Sequence, residues 1–182
     1  MKTNKMILIS LGIVINVVLG TVVKWIGIPL LFMDTVGTIF NAIILGPWLG
    51  ALTGLLTNVL TGIINSPVEI PFGLVNAAVG LVVGYSFKKF DLNYITGVIV
   101  GLVLAVVAPL IGSTIAVYVF GGLTGSFYEV AFLGLQSAGK NIFAASFLPR
   151  ITGNLVDKVA SVLIVVYAIK QLPSSLLDRF NG

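Results

Sequence analysis

The chain has neither cysteine nor histidine, and only 9% of its 182 residues are charged. The first absence removes disulfides and thiol nucleophiles, and the second removes the commonest metal ligand and the usual general base. An enzyme built on this chain would have to work with carboxylates, lysines and tyrosines alone. A soluble domain carries about 25% charged residues, so the shortage of charge excludes that class. What is abundant is apolar: 58% of residues are hydrophobic, mean hydropathy is +1.14, and long apolar runs recur along nearly the whole chain. This pattern predicts an all-α integral membrane protein. A membrane β-barrel would need roughly ten-residue segments of alternating polarity, whereas these runs are continuous, with glycine spaced by four.

Six spans are predicted, at about residues 6–23, 28–46, 48–64, 72–87, 94–120 and 151–172, forming one six-helix transmembrane domain. The second and third meet at Gly46-Pro47-Trp48, and the return limb carries Gly50, Gly54 and Gly62 on one helical stripe, with Asn58 in its gap. A stripe without side chains lets another helix approach to backbone contact, which is how helices associate in lipid. Gly12, Asn16 and Gly20 make a similar stripe on the first span and are candidates for docking a partner helix. Two prolines, Pro67 and Pro71, close the third span, and Pro109 predicts a kink in the fifth. Residues 121–150 are interrupted by Glu129, Gln136, Lys140, Asn141 and Arg150, yet contain Phe127, Val130 and Leu133. They read as a partly inserted cap rather than a span.

Six spans place both termini on one side. That side holds Lys2, Lys5, Lys88, Lys89, Lys170 and Arg179, and the other holds Lys24, Lys140 and Arg150. The excess of basic residues predicts cytoplasmic termini. Asp34, Glu69, Glu129 and Asp157 then gather at the outer ends. Charge inside a membrane is costly and is by default a functional signal. Asp34, Asn154, Asp157 and Lys158 are therefore candidates to line a pocket for a polar ligand, with Asn76 at similar depth, Tyr128 and Glu129 in the cap, and Trp25 at the interface. The alternatives are an interfacial N-cap at Asp34, a snorkelling Lys158 and interhelical hydrogen bonding at Asn76. The basic residues are scattered, so nucleic acid is not an expected partner, and no cofactor or metal is expected. Gly134 to Lys140 satisfies G-x-x-x-x-G-K, but Asn141 replaces the Ser or Thr that would hold Mg²⁺, and no βαβ pattern surrounds it.

Three segments carry a family likeness: M-D-T-V-G-T-I entering the second span, L-G-P-W-L-G-A-L-T-G-L-L-T-N around the turn into the third, and N-L-V-D-K-V in the sixth. With its length and span count, the chain resembles an S component, the substrate-binding membrane subunit of the energy-coupling factor (ECF) vitamin transporters. Within that family it is most similar to the hydroxymethylpyrimidine and pyridoxine type. The resemblance implies a vitamin site in the outer half, between the loop joining the first two spans and spans four to six. It also implies a transmembrane coupling subunit, two cytoplasmic ATPases and the plasma membrane of a prokaryote. Where that family presents alanines at four-residue spacing to the coupling subunit, this chain has Gly12, Asn16 and Gly20. Two other classes compete: a stand-alone ion-coupled transporter or small channel, with Asp34 and Asp157 as ion sites, and an intramembrane enzyme, which the missing histidine and cysteine disfavour.

Overall fold

Gly46 takes φ +94°, a conformation open to glycine, and Pro47 follows it at the first position of a helix. Proline suits that position, because its missing N–H would have had no intrahelical partner. This corner joins α2 (Val36–Leu45) to α3 (Pro47–Ile64). The computed structural model describes residues 3–28 and 30–173. Among these, the elements are α1 (Thr3–Ile26), α2, α3, a 3-10 turn (Pro67–Glu69), α4 (Gly73–Lys89), α5 (Tyr94–Phe120), α6 (Glu129–Ser137) and α7 (Ile142–Gln171), with no strand. Lys2, Arg179 and most of the polar tail, which entered the charge count, lie outside the described residues.

Five segments are long and apolar enough to cross a membrane: Thr3–Ile26, Pro47–Ile64, Pro67–Lys89, Tyr94–Phe120 and Ile142–Gln171. The expected second span is shorter than read from sequence. Its helix has 10 residues, about 15 Å of rise against a hydrocarbon core of about 30 Å. The chain before it, through Met33, is irregular, with Leu30 and Met33 at positive φ. The last helix differs in the other direction. It begins at Ile142 rather than 151, where the Asn141 side chain caps it by accepting from Ala144 N at 2.7 Å, and it runs on through Pro149. Arg150 therefore lies inside a helix and not in a cap. Residues 121–141 supply what remains of the cap, a turn and the nine-residue α6, which buries only Phe132.

Asn93 caps α5 through Thr96 N, and Gly121 ends it in the left-handed conformation, with Gly122 N donating to Ala116 O. This is the usual glycine stop. The core forms around α2: Val36, Ile39 and Ala42 pack with Val79 and Val83 of α4, Val100 and Leu104 of α5, and Val162 and Val166 of α7. On the outside, α1 exposes Ile7, Leu11, Val14, Val18 and Val22, and α5 exposes Ile95, Ile99, Leu102, Val103 and Val106. Apolar stripes of this kind suit a lipid surround.

Glycine sets the helix contacts. A Cβ on Gly54 would stand 2.6 Å from the backbone oxygen of Asn76, and one on Gly101 would stand 2.7 Å from Val159 Cα. Both obstacles are backbone, which cannot rotate away. Gly54→Val or Gly101→Val is expected to lower stability in detergent by about 1–3 kcal/mol, the usual range for overpacking. Gly134→Ala, where a Cβ meets open space, is the control and should leave thermal unfolding unchanged or slightly raised. Unaltered unfolding of both valine variants would show that the helices do not meet as closely as described.

Candidate functional site

One face of α7 carries Ser146, Arg150, Asp157, Lys158 and Ser161, all buried, with Asn154 half-buried beside them. The spacing of three and four places them on a single stripe. Asp157 is wholly buried. Its Oδ1 accepts hydrogen bonds from Phe32 N and Met33 N, each at 2.8 Å, and its Oδ2 pairs with Lys158 Nζ at 2.6 Å. Lys158 Nζ also donates to Thr35 Oγ1 at 3.1 Å and reaches Asp34 Oδ1 at 3.5 Å. Two adjacent residues of α7 thus fasten the loop 30–35. That loop needs fastening, since each left-handed non-glycine residue costs of order 1 kcal/mol.

The Asp34 side chain is 52% exposed while that of Lys158 is only 5% exposed, so Asp34 is the open end of the cluster. Tyr128, at the start of α6, comes down on it from the other side. Its ring lies 5.7 Å from that of Phe32, and the Arg150 guanidinium stands over it at 5.4 Å. Its hydroxyl lodges against Gly153, where a Cβ would collide with it. That hydroxyl is buried without a hydrogen-bond partner among the described residues. Burial, with the negative charge of Asp157 adding and Arg150 opposing, raises the Tyr128 pKa above its ordinary value. The group is therefore a neutral phenol with a proton to donate.

The other sequence candidates fall elsewhere or are already engaged. Glu129 accepts from Gly125 N within its own turn. Asn154 Nδ2 donates back to Arg150 O at 2.8 Å. Asn76 is buried and joins helices: its Oδ1 accepts from Thr38 Oγ1 at 2.7 Å, and its Nδ2 donates to Asn58 Oδ1 at 3.1 Å and to Asp34 O at 3.3 Å. Trp25 is 85% exposed at the end of α1 and takes no part in the cluster. Gly134 to Lys140 forms the end of α6 and the turn after it.

The face of α1 expected to dock a partner is instead closed by the chain itself. Asn16 Oδ1 accepts from Gly37 N at 2.7 Å, and its Nδ2 donates to Thr38 Oγ1 at 2.9 Å and Thr57 Oγ1 at 3.0 Å. Gly12 packs on Asn41 and Gly37, and Gly20 faces Asp34. A partner helix cannot reach Gly12 or Asn16 in this arrangement. The small residues are there because α1 and α2 meet at backbone contact, Gly12 against Gly37.

Phe32, Thr35, Thr124 and Arg150 were missed as site residues. Phe32 enters through its backbone N–H, for which a sequence holds no signal. Arg150 had one: it precedes Asn154 by one helical turn and Asp157 by two.

A bundle of apolar helices of spanning length, with the Asp34–Lys158–Asp157 cluster held on α7, has the layout of a multi-pass membrane protein. Residues 4–169 match the family profile described as ECF transporter, substrate-specific component, and the chain belongs to that family. It is thus a multi-pass membrane protein and the substrate-binding subunit of an ECF transporter, a vitamin-type system in which the S component works with an ECF module and is not itself an enzyme. Comparison with curated proteins and with solved structures gave no significant match.

The Asp157–Lys158 pair has a testable energetic signature. Removing one member of a buried ion pair leaves the other unpaired and costs about 3–5 kcal/mol. Asp157→Ala and Lys158→Ala are each expected to lower stability in detergent by that order, and the double variant by clearly less than the sum. Additive losses would show that the two side chains do not act as a unit.

Proposed function

We propose that this chain captures pyridoxine or hydroxymethylpyrimidine at its outer face and delivers it inward with a coupling subunit and two cytoplasmic ATPases. In this reading α2 and the irregular loop before it make the sixth crossing of a single six-span domain. Both termini are cytoplasmic, and the membrane is the plasma membrane of a prokaryote. The substrate lies between loop 30–35, Tyr128 and the outer half of α7.

The observation that carries the proposal is the open Asp34 carboxylate, half-exposed on a buried lysine, on a loop whose Phe32 ring lies 5.7 Å from that of Tyr128. A protonated pyridine or pyrimidine nitrogen donates to Asp34. Hydroxymethyl and hydroxyl groups bond Asn154 and the free Tyr128 hydroxyl, and the heterocycle lies against the two aromatic rings. Asp157 takes no direct part. It holds the loop that presents Phe32 and Asp34.

Calorimetric titration of the purified protein in detergent with pyridine and pyrimidine vitamins tests this. One of the two named compounds should bind, and Asp34→Asn should weaken it about 10- to 100-fold, the worth of one hydrogen bond to a charged group. Unchanged affinity in Asp34→Asn would remove the site. Accumulation of substrate by proteoliposomes containing this chain alone would favour the ion-coupled transporter instead.

A further inference from the structure

Arg150 is a buried cation that makes no ion pair among the described residues. It is 6% exposed, and the ion pairs among the described residues are both made by Lys158. Its Nη1 donates to Ser146 O at 2.9 Å and to Ser146 Oγ, and its Nη2 reaches Thr124 Oγ1 at 3.4 Å. All three acceptors are neutral. Of the carboxylates near it, Asp157 and, more loosely, Asp34 pair with Lys158, and Glu129, whose charge acts on the guanidinium from beyond ion-pair distance, accepts from Gly125 N. A charge removed from water and left unpaired is expensive, and an arginine fork is the group best shaped to take a carboxylate through two parallel hydrogen bonds.

A second observation points to the same place. The Tyr128 ring lies under the Arg150 guanidinium, and its buried hydroxyl has no partner among the described residues. There a cation without an ion pair and a donor without an acceptor stand side by side. From there the α7 stripe leads seven residues on to Asp157 and Lys158, about 10 Å along the helix axis. That distance suits one heterocycle carrying a short substituent, with Phe32 and Tyr128 between the two ends.

We infer that the substrate is a heterocyclic monocarboxylate whose carboxylate pairs with Arg150 and accepts from the Tyr128 hydroxyl, while the ring lies toward Asp34. A single guanidinium balances a monoanion, whereas a dianionic phosphate would bring a second unpaired charge. The inference rests on the outer recess being the substrate site. It parts from the choice of pyridoxine or hydroxymethylpyrimidine, because neither brings an anion to Arg150.

The test is calorimetric titration of the whole chain in detergent with two matched pairs, nicotinate against nicotinamide and 4-pyridoxate against pyridoxine. In at least one pair the carboxylate should bind about 30-fold tighter or more. Arg150→Gln should erase that preference, and Arg150→Lys should keep part of it. Tyr128→Phe guards against a folding defect in the arginine variants. Its lost hydroxyl makes no hydrogen bond in the free protein, so unfolding should not change while carboxylate affinity falls.

A neutral compound that binds as tightly as its carboxylate, and is weakened by Asp34→Asn, overturns the Arg150 inference and leaves the site standing. A carboxylate preference that survives Arg150→Gln also overturns it. Failure of all four compounds to bind folded wild-type protein overturns the inference, and failure of hydroxymethylpyrimidine as well overturns the site with it.

Discussion

The Asp157 carboxylate is the contact on which the rest of this end of the molecule depends. An irregular loop inside an apolar bundle exposes backbone N–H groups that neither water nor a helix satisfies, and each such group costs free energy. Asp157 accepts two of them, from Phe32 and Met33, on one oxygen, and holds Lys158 with the other. The ion pair is thus also a backbone clasp. It explains why α2 can be short: the chain need not begin its helix until Val36, because α7 provides the hydrogen bonds that helix would have provided. It also explains why Asp34 is free to face outward, since the lysine beside it is already paired.

Below the clasp, polarity does a different task. Asn16, Thr38, Thr57, Asn58 and Asn76 form a continuous set of hydrogen bonds across α1, α2, α3 and α4. In lipid, burying apolar surface gives little drive for helix association, so such bonds and close glycine contacts hold helices together. The two devices occur at the same places. Gly54 admits the backbone of Asn76, and Gly37 offers both its N–H to Asn16 and its open Cα to Gly12. Asn76 is consequently a positioning group for Asp34, whose carbonyl it holds at 3.3 Å, before it is anything for a ligand.

Helix ends marked by local chemistry were legible in the sequence. Gly46-Pro47 and Asn93 end or begin helices where their residue types say they should, and five of the apolar runs are helices of spanning length. Where the sequence misled, non-local contacts decided. Arg150 read as part of an interrupted cap, yet α7 runs through it and through Pro149, because Asn141 supplies a cap upstream and the bundle buries the guanidinium. The run before Val36 reads as helix by hydropathy, yet it follows Asp157, which is more than a hundred residues away. The stripe of Gly12 and Asn16 correctly marked a helix contact. Nothing in a four-residue spacing tells whether the contacting helix belongs to the same chain.

The recess brings together groups of opposite character for a physical reason. Asp157 and Lys158 satisfy each other and the loop, so they are fixed in place by the fold alone. Among the described residues Asp34, the Tyr128 hydroxyl and Arg150 are each incompletely satisfied: one is half in solvent, one is without an acceptor, one is without an ion pair. Elsewhere the chain pairs asparagines and threonines across its helices, although Asn41 Oδ1, Ser113 Oγ and Ser161 Oγ also lack a partner among the described residues. What sets the cluster apart is that such groups stand beside a fully satisfied clasp and include two that can carry charge, Asp34 and Arg150. The loop 30–35 joins the two parts, since its backbone is bound to Asp157 of α7 while its Asp34 carboxylate stays half in solvent.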